Sequence, residues 1–151
     1  MIYKEEVRDL FSVPEDYYLA HCISADFGMG KGIAVEFVKR FDTRNQLLQH
    51  YPNYYDEWKT TVPFNAFAGG CLIEGRVLNL ITKERYFHKP TYDSMTLALE
   101  NMQKVCKEYN IKKVAMPLIG CGLDKLKWDK VKELIIKTFA LEDIEILVCI
   151  Q

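Results

Sequence analysis

Two residues of this chain are suited to covalent chemistry: Lys83, closing the apolar run Leu80-Ile81-Thr82-Lys83, and Asp124, closing the loop Pro117-Leu118-Ile119-Gly120-Cys121-Gly122-Leu123-Asp124. A lysine amine attacks a sugar or carbonyl carbon once a nearby base has taken its proton. Asp124 is the candidate base, and a solvated strand-end lysine is the plainer alternative. Their separation in sequence does not decide whether they meet.

A second glycine-rich stretch, Gly28-Met29-Gly30-Lys31-Gly32-Ile33-Ala34, follows an apolar run and opens a helical pattern. Glycines let a backbone turn sharply and approach a ligand, and a helix N-terminus offers free N–H groups to an anion. A phosphate is the natural occupant, and a turn used only for packing is the alternative. Neither of two common phosphate motifs fits. Lys31 is followed by Gly32 rather than Ser or Thr, which departs from the P-loop, and Ile33 stands where GxGxxG requires glycine. The Gly120 and Gly122 loop also follows a strand pattern. Two such loops beyond the carboxyl ends of strands are placed to clasp the two phosphates of one diphosphate.

The other reactive residue types carry less. Cys22, Cys71, Cys106, Cys121 and Cys149 are scattered, odd in number and free of any CxxC pair, so neither a disulfide framework nor a zinc site is indicated. Cys121 has no basic neighbour, and His21 beside Cys22 points to the opposite face of a strand. Inert thiols are expected. His21, His50 and His88 lack metal-ligand spacing and read as structural.

The elements that must position these residues are legible in the hydrophobic periodicity. Strands are expected at Tyr18 to Ser24, Phe67 to Ile73, Arg76 to Thr82, Lys113 to Met116 and Ile144 to Ile150, with a weaker one at Ile2 to Val7. The last is a β-branched run that should be buried on both faces, and Glu74-Gly75 suggests a hairpin. Helical stripes run through Ile33, Ala34, Phe37, Val38 and Phe41, through Met95, Leu99, Met102, Val105, Cys106 and Tyr109, and through Val131, Leu134, Ile135 and Phe139. Thr91 or Asp93 can cap the second helix after Pro90. This order predicts an α/β fold, a mixed sheet sandwiched between helices. The segment from His50 to Asn65 reads as a helical turn and a loop whose aromatics pack locally.

The chain has 151 residues, the length of one domain, and can bury a core without metal or disulfide support. Twenty basic and 21 acidic residues give a charge of −1 and exclude tight non-specific nucleic-acid binding, while leaving room for a local positive pocket. No window approaches the roughly 18 apolar residues of a membrane span. A cytoplasmic or nuclear protein is expected, and its small size points to a monomer.

Taken together, these residues resemble the macrodomains, ADP-ribose-binding modules of three-layer α/β/α architecture with a mixed, mostly parallel sheet. Within that family they are most similar to the terminal ADP-ribose protein glycohydrolase branch. The likeness covers nearly the whole chain, as one macrodomain over residues 1–151. It is carried by Asp9-Leu10-Phe11, Ala20-His21-Cys22-Ile23-Ser24, Met29-Gly30-Lys31-Gly32-Ile33-Ala34, Leu80-Ile81-Thr82-Lys83, His88-Lys89-Pro90-Thr91-Tyr92 and Ile119-Gly120-Cys121-Gly122-Leu123-Asp124.

The resemblance implies a site. Asp9 would accept from the adenine amino group with Leu10 beside it, Ser24 would lie along the distal ribose, and Gly30, Gly32 and Ile33 would hold the diphosphate with the second glycine loop. Leu118, Ile119, Gly120, Cys121, Gly122, Leu123 and Gln151 would line the ligand. Lys83 matches the family's catalytic lysine and Asp124 its catalytic aspartate. The implied reaction removes ester-linked ADP-ribose from Glu or Asp side chains: Lys83 attacks the anomeric carbon and Asp124 accepts the protons. Negative groups nearby favour ammonium over amine, so the lysine needs that local acceptor.

No cofactor and no metal is implied, and the partners are ADP-ribose and ADP-ribosylated protein or DNA. Arg8 stands where the family commonly has glycine before the adenine-binding aspartate, so either the turn differs or the arginine adds a contact. The asparagine pair of other macrodomain hydrolases is absent, which favours lysine chemistry. Two rival readings keep the pocket: a module that binds ADP-ribose without turnover, and a hydrolase of O-acetyl-ADP-ribose or of ADP-ribosylated DNA.

Overall fold

A computed structural model describes residues 1–61 and 70–151. Six strands, β1 (Ile2–Val7), β2 (Tyr18–Ser24), β3 (Gly70–Glu74), β4 (Val77–Lys83), β5 (Lys113–Met116) and β6 (Glu145–Ile150), form one sheet in the order β1-β6-β5-β2-β4-β3. Every neighbouring pair is parallel except β3 and β4, which form a hairpin whose register closes at Glu74 opposite Val77. The two-residue turn is therefore Gly75-Arg76, one position beyond the expected pair. The expected start of the third strand at Phe67, like the loop residues 62–65, lies outside the described residues.

Among the described residues, five α-helices cover the sheet: α1 (Ile33–Phe41), α2 (Thr43–His50), α3 (Tyr54–Thr61), α4 (Tyr92–Glu108) and α5 (Trp128–Phe139). The α2 helix has no counterpart in the sequence reading. Its residues TRNQLLQH bury only Thr43 and Leu47, too little to give an apolar stripe. It exists because Asp42 turns the chain through the left-handed region, its N–H donating to Val38 O at 2.9 Å, while Thr43 Oγ1 donates to Phe37 O at 3.1 Å. The segment from His50 onward likewise holds more than a turn, since α3 spans eight residues.

The period of two along each strand divides the interior into layers. Leu78, Leu80, Val114, Met116, Ile146 and Val148 face Leu99, Met102, Val131, Ile135 and Phe139 of α4 and α5. Their alternates Leu19, Val77, Ala115 and Leu147 pack with Leu10, Val13 and Phe37 on the opposite face. Ile23 and Ile81 continue that face toward Phe27, Met29 and Leu47. The strand β6 is buried through Ile146, Leu147, Val148 and Cys149, as a β-branched run with helices on both sides requires.

The start of α4 is fixed by reciprocal capping: Ser94 N–H donates to Thr91 Oγ1 at 3.0 Å and Thr91 N–H to Ser94 Oγ at 2.9 Å. Thr91, not Asp93, is the cap. Among the described residues no helix is long and apolar enough to cross a membrane.

Candidate active site

Because β2, β4, β5 and β6 run parallel, their carboxyl ends lie along one edge of the sheet. The chain leaves that edge after Ser24, Lys83, Met116 and Ile150, so four separate segments gather there, as parallel sheets arrange their ligand sites. Between them and α1 lies a cleft of about 1260 Å³. That is more than a drug-sized ligand fills.

Lys83 ends β4 and reaches Asp124 on the loop before α5, with Nζ 2.8 Å from Oδ1. The two side chains keep 15% and 17% of their surface exposed, so the ion pair is largely shielded from water but open to the cleft. Sequence separation had left this meeting open; β4 and β5 flank β2 with their carboxyl ends at the same edge, and the loop that follows β5 carries Asp124 back to the end of β4.

The expected ligand residues all border the same cleft. Asp9 and Leu10 stand at one wall, Ser24 at the floor, Gly30, Gly32 and Ile33 where α1 begins, and Leu118 to Leu123 along the opposite lip with Gln151. One oxygen of Asp9 accepts from Phe11 N–H at 3.0 Å, and the other takes no bond among the described residues. Arg8 is turned away, its guanidinium bound to Ser12 at 3.1 and 2.9 Å and to Glu6 at 3.1 Å. Its backbone is not left-handed, so no glycine is required before Asp9. Arg8 is not part of the cleft wall.

Two glycines of the cleft loops have conformations that other residues resist. Gly32 has φ +65° and ψ −152°, a region open essentially to glycine, and heads α1 with no side-chain cap. The first N–H groups of that helix are left for an anion. Gly120 has φ +74°, and a Cβ there would come within 2.7 Å of Met95 Cε. Leu123 approaches Gly32 across the cleft, 3.5 Å from where a Cβ would stand, so the two glycine loops face each other.

Side chains that the sequence reading missed complete the walls. Phe11, Arg40, Tyr86, Phe87 and Lys89 all border the cleft, with the Arg40 guanidinium 4.4 Å above the Phe11 ring. Tyr86 and Phe87 stand edge to face at 5.4 Å on the rim and remain 60% and 63% exposed. Lys89 Nζ donates to Leu123 O at 2.6 Å, joining two loops. The signal was present in Arg85-Tyr86-Phe87-His88-Lys89, an aromatic pair flanked by basic residues. Among the described residues that border the cleft, Lys31 and Lys89 have no carboxylate partner, so a chain of charge −1 has basic groups at this opening.

The thiols at the cleft are held protonated. Burial pushes the Cys22 and Cys121 thiols up, and Cys121 Sγ donates to Ile119 O at 3.3 Å. Neither is a ready nucleophile. His21 is fully buried, stacked on Phe37 at 3.8 Å, with Nε2 2.6 Å from Asn79 Oδ1. Burial pushes its pKa down to about 4, so the ring is neutral. His50 pairs with Glu74 at 2.7 Å, and His88 Nδ1 accepts from Arg85 N–H at 3.4 Å. Among the described residues, no three His, Cys, Asp or Glu side chains gather as a metal site.

The family model for the Macro domain matches residues 21–135. The chain is 39% identical to human ADP-ribose glycohydrolase OARD1 over 144 residues, covering 93% of this chain and 86% of that protein. It belongs to the macrodomain family. The macrodomain superposes on that of Thermus aquaticus DarG with a TM-score of 0.80 at 22% identity, over 98% of this chain and 97% of that one. It is also 24% identical to the DNA ADP-ribosyl glycohydrolase of Mycobacterium bovis, over 80% of this chain and 34% of that protein. The three-layer α/β/α fold of the family is the one described above, with α4 and α5 on one face and α1 on the other.

Proposed function

We propose that this macrodomain is an ADP-ribosyl glycohydrolase, a hydrolase that removes ADP-ribose from modified macromolecules. The observation that carries the reading is the Lys83–Asp124 pair at 2.8 Å, open to a cleft whose far wall is an uncapped helix N-terminus. The likeness to human ADP-ribose glycohydrolase OARD1 over most of both chains supports it.

In this reading Asp9 and Leu10 hold the adenine and Gly30, Gly32 and Ile33 receive the diphosphate with Leu118 to Leu123. Ser24 and Gln151 border the rest of the ligand. Asp124 takes a proton from Lys83, the amine nitrogen attacks the anomeric carbon of the distal ribose, and the ester C–O bond breaks. The Glu or Asp carboxylate departs with the bonding pair. Water then hydrolyses the lysyl sugar, releasing ADP-ribose and restoring the amine. The reaction needs no cofactor, and one monomeric domain over residues 1–151 in the cytoplasm or nucleus is sufficient for it.

A second reading changes the linkage to a DNA base. It is favoured by the exposed Tyr86–Phe87 pair on a cleft that Lys31 and Lys89 also border, since aromatic faces near cations without carboxylate partners suit a nucleic-acid strand. The deciding experiment supplies carboxylate-linked and DNA-linked ADP-ribose to wild type, Lys83→Ala and Asp124→Ala. Released ADP-ribose and the intact mass of Lys83 adducts are followed beside calorimetry with free ADP-ribose. Release by wild type alone, with binding kept in both variants, supports the glycohydrolase. Binding without release from either substrate leaves a reader of ADP-ribose.

A further inference from the structure

Asp26 lies two residues beyond β2 and has no part in the chemistry above. Its carboxylate accepts from three donors: Oδ1 from the Ser24 hydroxyl and from Gly28 N–H at 3.1 Å, and Oδ2 from Tyr86 N–H at 3.2 Å. The backbone beside it pairs with the segment that carries Lys83, Ala25 N–H donating to Lys83 O at 2.9 Å and Asp26 N–H to Glu84 O at 3.3 Å. Tyr86 packs against Gly28 so closely that a Cβ there would stand 2.6 Å from Tyr86 Cβ. One carboxylate thus ties the glycine loop before α1 to the loop that leaves Lys83. From that second loop, Lys83 and Lys89 reach across to Asp124 and Leu123.

The bond from Ser24 also fixes a direction. A carboxylate accepts and has no proton to return, so the single Ser24 hydroxyl hydrogen is committed to Asp26 and is not available to a ligand. We propose that Asp26 is a positioning residue for this site. It fixes the buried Ser24 hydroxyl beneath the cleft, and it holds the Lys83–Tyr86 segment against the Gly28–Gly32 loop so that the lysine stays within reach of the sugar carbon. The inference rests on the glycohydrolase reading and adds a residue that the reading does not use.

An asparagine tests it with almost no change in shape. Whichever way its amide is turned, one of the backbone N–H groups of Gly28 and Tyr86 meets another N–H instead of an oxygen. Misplacing a reacting group by about 1 Å costs on the order of 100-fold in rate, so Asp26→Asn should lower kcat by about that factor. Affinity for free ADP-ribose should fall by no more than about threefold, because the cleft walls remain. Combining Asp26→Asn with Ser24→Ala should cost less than the product of the single effects, as expected of residues acting in one unit.

Amide hydrogen exchange supplies a readout independent of turnover. In Asp26→Asn the Gly28 and Tyr86 amides should exchange faster while those of α4 and α5 do not change. The proposal is overturned if kcat stays within about threefold of wild type, if those two amides keep their protection, or if kcat, ligand affinity and melting temperature fall together. If wild type itself releases nothing from either substrate, the glycohydrolase reading falls. The exchange at Gly28 and Tyr86 then still decides whether Asp26 joins the loops. Should Asp26→Asn not fold, Asp26→Ser carries the same comparison.

Discussion

The α4–α5 layer and the loop cluster at the carboxyl edge of the sheet hold their side chains by different means. Under α4 and α5, Leu99, Met102, Val131, Ile135 and Phe139 are completely buried, and position follows from packing against alternating strand residues. At the loop cluster it follows from a few directed bonds: Asp26 to Tyr86, Lys83 to Asp124 and Lys89 to Leu123. A packed layer resists change through many small contacts, whereas a stitched one depends on each stitch. Stability should therefore be concentrated in the first region and function in the second.

The sharpest way to break that division is to remove a reacting group. Lys83→Ala or Asp124→Ala should lower turnover about a thousandfold, in the range of lost nucleophilic and acid–base catalysis, while free ADP-ribose still binds by calorimetry. A parallel collapse of the melting temperature would show that the pair holds the fold instead. On the packed side, Phe139→Ala should cost about 3–5 kcal/mol in denaturant unfolding and leave kcat per folded molecule unchanged.

His21 probes the boundary between the regions, since its ring supports Phe37 from the strand that ends at the cleft. Its folded pKa of about 4 lies below the unfolded value near 6.5, so between those values the unfolded chain binds more protons. Stability should be complete above pH 6.5 and should fall as pH drops toward 4, by about 2 kcal/mol between pH 7 and 5 from this group. Thermal melts of wild type against His21→Gln over that range check it, and equal slopes would remove His21 as the cause.

A smaller effect is expected at Gly32, where alanine meets a backbone conformation that costs on the order of 1–3 kcal/mol. Gly32→Ala should weaken ADP-ribose about tenfold by shifting the helix start and lower the melting temperature by several degrees. Smallest of all is the exposed Lys113–Asp16 ion pair at 2.8 Å. Asp16→Asn should leave both melting temperature and turnover unchanged, as isolated surface pairs do.

Much of the fold was legible. β2, β5 and β1 have the bounds their sequence patterns suggest, and the stripes of α1, α4 and α5 bury the faces they predict, except at Tyr109, which lies past the end of α4 and is exposed. The α2 helix was not, because its stability comes from Asp42 and Thr43 bonding to the end of α1 and not from an apolar face of its own. The basic, aromatic rim was hidden by whole-chain charge arithmetic. The rim-loop carboxylates Asp26 and Glu84 are bonded to neutral donors and Asp124 to Lys83, while Lys31 and Lys89 at the cleft have no carboxylate partner.

Local chemistry is written in the chain itself: β-branched runs extend, Thr91 and Ser94 cap, and Gly32 and Gly120 take backbone angles that other residues resist. Those effects act within a few residues and need no partner from elsewhere. The meeting of Lys83 with Asp124, the turning of Arg8 away from the cleft and the three bonds of Asp26 are different in kind. Each joins groups whose distance is set by strand order and register, and those are fixed only when the whole sheet buries its two faces against helices.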